Sequence, residues 1–441
     1  SLAATALNTI DGYTTGVITA STVTTITGTA ADVAQAYNST GITGLGNEAV
    51  TLSGTTAAAA DLNSIDAKSD SINASTVTLV TGTAAAVTTA LQASGISGLS
   101  NPAVTLDDTS LAATVLNTLN GLTMGVVNAT SVTTLTGSAA AVTTAYAANT
   151  AGEISGLGKE AVTLDDTSLA ASDLNTLNSK TTGAVSAALV TTLTGSAANV
   201  TTAYVANAAN EITGLGNEAL ILSDTSLSAT VLNTLDGYTS GAVDVSLVTQ
   251  VSGSAADVAQ AYNSTGITGL GNEAVTLSGT TAAAADLNSI DAKSDSIDAT
   301  SVTMITGSAA AVTTSYNSTG ITGLGNESVT LDDTTLAAAN LNTLDGKTTS
   351  VIYAATVTTL TGSAADVTTS YNSLFTAGLG NEAVTLDDTS LSASALNAVN
   401  GKTTGVVNAT SVTTLTGSAA DVTTAYAANT AGEITGLGNE A

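Results

Sequence analysis

Four pairs of adjacent acids carry the densest chemistry in the chain: Asp107-Asp108, Asp165-Asp166, Asp332-Asp333 and Asp387-Asp388. Two carboxylates in one turn are the beginning of a Ca²⁺ site, which carbonyls or a neighbouring segment would complete to about six to eight oxygens. Carboxylate pairs also hydrolyse glycosides when they flank a scissile bond. The sequence weighs against both uses. Equivalent positions elsewhere read Ser53-Gly54, Ser223-Asp224 and Ser278-Gly279, so nothing distinguishes one pair as a site. The Gly-Gly-x-Gly-x-Asp pattern of calcium-binding coils is not found either. Acids beside a helix start are favoured by the helix dipole, so the expected role is capping of the helix that follows, with calcium as the alternative.

Other chemistry has little to build on. The chain has no His and no Cys, which removes the usual bases, thiol nucleophiles and soft metal ligands. Gly44-Leu45-Gly46 and its relatives lack the lysine and glycine spacing of a phosphate loop. No catalytic residue and no cofactor site is assigned, and the chain is expected not to be an enzyme.

The elements around the acids repeat. A Gly followed by Ser or Thr and two Ala recurs at Gly28, Gly82, Gly137, Gly195, Gly253, Gly307, Gly362 and Gly417. Leu-Asn keeps the same step, at Asn8, Asn63, Asn117, Asn175, Asn233, Asn288, Asn342 and Asn397. Residues 1–441 thus read as one continuous array of eight repeats of 54–58 residues. Such a chain stacks units instead of wrapping one core. Ala30 to Ile72 is identical to Ala255 to Ile297, four repeats away, as block duplication would leave it.

Within the copy from Val126, the β-branched runs Val126 to Ala129 and Val132 to Leu135 predict short strands. Gly137 ends the second, Ser138 is placed to cap a helix, and Ala139, Val142, Ala145 and Tyr146 form its apolar stripe. The second half repeats the plan: strands over Ile154 to Leu157 and Ala161 to Leu164, then Asp165 to Ser168 as caps for a helix lined by Leu169, Ala171, Leu174 and Leu177. Gly12, Gly121, Gly237, Gly346 and Gly401 are placed to close this second helix in the left-handed conformation. The fold class is therefore α/β, a solenoid of strand-turn-strand-helix coils, two per repeat; an all-β solenoid is the alternative. Strands of neighbouring coils sit about 4.8 Å apart and packed helices about 8–10 Å, so the solenoid is expected to be curved or superhelical. The Asn row predicts a ladder that satisfies backbone groups in the turns between coils. Tyr recurs at the end of the first helix (Tyr37, Tyr146, Tyr204, Tyr262, Tyr316, Tyr371, Tyr426), and its replacement by Leu91 in one copy predicts a packing role.

Charge is one-sided, with 35 acids against six lysines and a net charge of −29. A phosphate-binding stripe cannot be built from that, so nucleic acid is not an expected partner. No apolar run of membrane-spanning length occurs. The chain starts and stops inside a repeat, at Ser1 and at Glu440-Ala441, which predicts a segment of something longer, or copies joined end to end.

Three phrases carry a family resemblance: Thr134-Leu135-Thr136-Gly137-Ser138-Ala139-Ala140, Leu116-Asn117-Thr118-Leu119, and Ile212-Thr213-Gly214-Leu215-Gly216-Asn217-Glu218-Ala219. They resemble the very long Ala/Thr-rich tandem-repeat proteins of marine cyanobacteria and their phages, which are assigned to cell surfaces or virions without an activity. The resulting expectation is a non-enzymatic structural protein: an extracellular fibre, surface layer or virion appendage that associates end to end or side by side. An adhesin that recognises a glycan or a cell surface is the alternative.

Overall fold

The computed structural model describes all 441 residues, in two compact units, Ser1–Ile221 and Leu222–Ala441. Each unit holds eight of the sixteen helices, and every strand pairing is parallel. Helices of 8 to 13 residues stand where the sequence places them, which sets the all-β alternative aside. The α/β tandem-repeat solenoid is the observed architecture.

The copy from Val126 shows how local chemistry writes each coil. Strands Val127–Asn128 and Thr134–Gly137 lead into the helix Ala139–Ala151. Ser138 Oγ accepts from the Ala141 N–H at 3.3 Å, meeting one of the orphan donors of the first turn. Ser or Thr does the same at the head of the first helix in all eight copies. The helix runs through Asn149 and Thr150 and ends at Gly152, whose φ of +80° is the left-handed cap.

The second coil differs from its expected form in three respects. Three short strands, Ile154–Ser155, Ala161–Leu164 and Ser168–Ala170, precede the helix Ala171–Asn178. Asp165 to Ser168 do not cap that helix; its N-cap is Ala170, without a side-chain bond. The glycines after the second helix are not left-handed caps either. Gly237, Gly346 and Gly401 hold φ near −74°, in the right-handed region, while Gly12 and Gly121 lie inside the helices Ala4–Tyr13 and Ala113–Leu122. The chain turns there by tightening the last helical turn, with Gly237 N–H donating to Asn233 O and Tyr238 N–H to Leu235 O.

Ladders of five strands knit the coils together. In the first unit Leu111, Leu135, Val162, Val185 and Ile212 stand in register along one ladder. All five are buried, and they pack against the helix stripes Ala139, Val142, Ala145 and Ala171, Leu174, Leu177. Each large aliphatic side chain so buried contributes about 1.5–3 kcal/mol, and the alanines let helix and sheet approach closely.

The ladders also run obliquely to the coils. In the second unit one ladder joins strands starting at Ser226, Gln250, Ala274, Ser296 and Ile321, while the helices of those coils start at Ala229, Ala255, Ala284, Ala309 and Ala338. The paired strand therefore begins 3, 5, 10, 13 and 17 residues before its helix. A slip of that size, three to four residues per coil, moves the chain about 12 Å along the strand. Strands that stay about 4.8 Å apart can then belong to coils spaced widely enough for helices, which take part of the strand–helix spacing mismatch out of the fold. Apart from two two-stranded ladders, Ile18–Thr19 with Ile42–Thr43 and Ser390–Ser392 with Thr414–Thr416, each ladder exhausts its coil after five strands, and a new one starts in every repeat.

Candidate functional site

The acid pairs are helix caps, but for the helix of the preceding coil. Asp108, Asp166, Asp333 and Asp388 each place Oδ2 at 2.7 Å from the first N–H of a helix, that of Ala84, Ala139, Ala309 and Ala364 respectively. The capped helix lies 24 or 27 residues upstream. The first acids of the pairs, Asp107, Asp165, Asp332 and Asp387, are exposed, and their backbone N–H groups bond the carbonyls of Gly82, Gly137, Gly307 and Gly362. Where the pair reads Ser53-Gly54 or Ser278-Gly279, the upstream helix supplies its own acid: Asp32 Oδ2 accepts from Thr29 Oγ1 at 2.7 Å and Asp257 Oδ2 from Ser254 Oγ at 2.8 Å. No group of three or more acids converges in the structure.

The asparagine row is a ladder, strung between helices instead of turns. In all eight copies Nδ2 donates to a carbonyl in the first turn of the next helix at 2.9–3.0 Å, as Asn117 does to Ala141 O. The other side of the amide is unequal among copies. Oδ1 of Asn8, Asn63, Asn117, Asn175, Asn233 and Asn397 is buried without a partner. Asn288 and Asn342 instead receive Ser315 Oγ at 2.8 Å and Ser370 Oγ at 2.7 Å, where sister copies carry Ala.

The recurring Tyr packs as expected and also makes a bond that the sequence reading missed. Tyr37, Tyr204, Tyr262, Tyr316, Tyr371 and Tyr426 donate at 2.6–3.0 Å to Glu48, Glu218, Glu273, Glu327, Glu382 and Glu440, and Tyr146 donates to Glu160. Six of these glutamates are buried, Glu218 and Glu327 completely. Backbone amides hold the carboxylate from the other side: Gly216 N–H and Asn217 N–H each reach Glu218 Oε2 at 2.8 Å. A buried charge thus sits in a nest of donors closed by a phenol. Burial first, and then the Glu48 hydrogen bond, push the Tyr37 phenol well above its ordinary value; Tyr146, Tyr262 and Tyr371 are raised by the same causes, with Glu160, Glu273 and Glu382 as partners. The signal was present in the sequence. The copy with Leu91 in place of Tyr also has Pro102 in place of Glu, so phenol and carboxylate are lost together. Pro102 O still accepts Thr123 Oγ1 at 2.6 Å, as Glu160 O accepts Thr181 Oγ1 at 2.7 Å, so the turn survives the exchange.

The turn needs its glycine. Gly214 has φ +90°, and a Cβ there would stand 2.7 Å from Ala188 Cα in the neighbouring coil. Between adjacent coils the surface forms open grooves. One is lined by Ala139, Ala140, Thr143, Asp166 and Asp173, and its Asp166 is the acid already capping Ala139. Neither a protein-family model, nor a curated protein, nor a solved structure matches the chain.

Proposed function

We propose that this chain is a non-enzymatic structural protein, part of an extended extracellular fibre, surface layer or virion appendage. The observation that carries the reading is the use of the recurring polar side chains. The Asn amide reaches from one coil to the next in every copy, the Asp caps reach back to the preceding coil, and the Tyr–Glu pairs brace the turns between helices. A link of this kind is renewed with each added repeat, so stability grows with length and no copy becomes a special centre. The net charge of −29 keeps such a surface hydrated and limits indiscriminate clumping. No helix is long and apolar enough to cross a membrane, and self-association, end to end or side by side, is the partner this reading requires.

Immunogold labelling of the source material, with electron microscopy of the purified protein, tests the proposal. Label on the outer surface or on virions, with ordered fibres or arrays, is the expected result. Label dispersed through the cell interior, with only discrete single particles after purification, would reject it.

A further inference from the structure

The end of the second helix carries the chain's two Asn-Gly dipeptides, Asn120-Gly121 and Asn400-Gly401. Asn-Gly readily loses its side-chain amide, because a glycine without Cβ lets its own nitrogen approach the Asn Cγ unhindered. Here the amide has a task. Asn120 Nδ2 donates to Glu153 Oε2 at 3.0 Å and Asn400 Nδ2 to Glu433 Oε2 at 3.1 Å, each across to the next coil. A carboxylate can only accept, so a second carboxylate in place of the amide offers it no bond and repels it. The other copies avoid that pairing. Asp precedes the same glycine at Asp11, Asp236 and Asp345, and there the next coil presents a hydroxyl, that of Ser39, Ser264 or Ser373. No copy sets Asp at this position against Glu. Asn120 and Asn400 are half-buried, and the glycines after them are exposed.

We propose that Asn120 and Asn400 are sites of spontaneous deamidation, and that the reaction unfastens the coil junctions they span. The glycine nitrogen attacks Asn Cγ, and the new C–N bond closes a succinimide ring as the Cγ–Nδ2 bond breaks. The amide leaves as ammonia, taking the proton of the glycine N–H. Water then opens the ring at either carbonyl and leaves Asp or isoaspartate, whose extra backbone methylene does not fit a helix. The fold sets the rate. Gly401 N–H is held by Asn397 O at 3.0 Å, so its nitrogen can attack only when the last turn opens. Helix ends are where such opening needs the least free energy. An aspartate, once formed, faces Glu153 or Glu433, and the repulsion favours the opened turn. Asn178 supplies a contrast within the same chain. It makes the same bond, to Glu211 at 3.2 Å, but Ser179 follows it and its side chain hinders ring closure. Two junctions of the array thus loosen with time while the third keeps its amide. This modification goes beyond the scaffold reading and stands independently of whether the chain forms fibres.

The test ages the intact protein in mildly alkaline buffer and follows each asparagine by peptide mass mapping. Conversion of amide to acid at Asn120 and Asn400, at least tenfold faster than at Asn178, is the expected result. Gly121→Ala is the control, since a Cβ there meets no atom within 4 Å and the fold is kept. It should slow conversion at Asn120 tenfold or more while Asn400 proceeds as before. Asn120→Asp supplies the product directly: amide exchange in the helices Ala113–Leu122 and Ala139–Ala151 should speed at least about threefold. Adding Glu153→Gln, which gives the new carboxylate a donor, should bring it back. Conversion at Asn120 and Asn400 no faster than at Asn178, or unaffected by Gly121→Ala, would overturn the proposal. So would exchange that is unchanged in Asn120→Asp or left fast by Glu153→Gln, because the junction would then not depend on the amide.

Discussion

Replacing Ala145 by Ser should stabilise the first unit, and the structure supplies the magnitude. Asn117 Oδ1 is buried with no donor. At the equivalent site Ser315 Oγ stands 2.8 Å from Asn288 Oδ1 and is itself 1% exposed, so the pocket accepts a hydroxyl without moving out. Ala145 is 0% exposed and occupies the same helical position, directly before the Tyr. A new hydrogen bond contributes about 0.5–1.5 kcal/mol, and satisfying a stranded acceptor adds to that. Ser in place of Ala costs about half a kcal/mol of helix propensity. The net gain is then about 1 kcal/mol, close to fivefold in a local opening constant. Arrays of repeats need not unfold in one step, so amide hydrogen exchange of the helices Ala113–Leu122 and Ala139–Ala151 is the proper assay. Exchange there should slow about fivefold in Ala145→Ser, and the gain should vanish when Asn117 is also changed to Leu. Ser315→Ala should speed exchange in its own helix by a similar factor. Unchanged exchange in both single variants would refute the reasoning, since the stranded oxygens would then carry no cost.

Three further outcomes follow from the same bonds. Asp166→Ala removes the cap on Ala139, so the upstream helix Ala139–Ala151 should lose about 1 kcal/mol while the helix Ala171–Asn178, which follows the acid in sequence, stays unchanged; exchange rates of the two helices decide it. Thr376→Ile restores the apolar residue of the sister strands and removes a buried unpartnered hydroxyl, so thermal unfolding should shift upward, and a downward shift would contradict the packing described. The Tyr–Glu pairs set an alkaline limit. Their phenols ionise at about pH 10 in the unfolded chain and higher in the folded one, mainly through burial and then through the glutamate bond. Their contribution is complete below about pH 10 and is lost as pH rises through the folded value. Phenolate absorbance from Tyr37, Tyr146, Tyr262 and Tyr371 should therefore appear together with loss of helical circular dichroism, and ionisation near pH 10 with helices intact would break the argument.

The features legible in the sequence were those written in local chemistry. Ser138 caps its helix because a hydroxyl before an Ala-rich run can do little else, and Val142 and Ala145 face inward because their spacing is helical. The errors concern partners one coil away. Its place in the sequence assigns Asp166 to the helix that follows it, five residues on, whereas it caps a helix that starts 27 residues earlier. Residue type alone makes the glycines after the second helix left-handed caps, and Gly237 instead continues the right-handed turn. The slip of the ladder was out of reach for a related reason: residue spacing within one coil does not state which strand of the next coil it will meet.

An internal repeat nevertheless gives a second kind of legibility, because its copies can be compared with one another. Tyr and Glu disappear together at Leu91 and Pro102, which identifies a contact between residues 11 apart without any structure. A second exchange follows the same logic. Near the end of the second helix, Asp11, Asp236, Asp291 and Asp345 accept from a serine hydroxyl of the next coil, that of Ser39, Ser264, Ser318 and Ser373, while Asp66 has Ala93 at the serine position. Where that position is Asn, at Asn120, Asn178 and Asn400, the next coil carries Glu153, Glu211 or Glu433 to accept from the amide. Acceptor and donor have changed sides, and the link between coils remains. In seven of the eight copies the coil-to-coil bond is kept while the residues making it vary, as a scaffold requires.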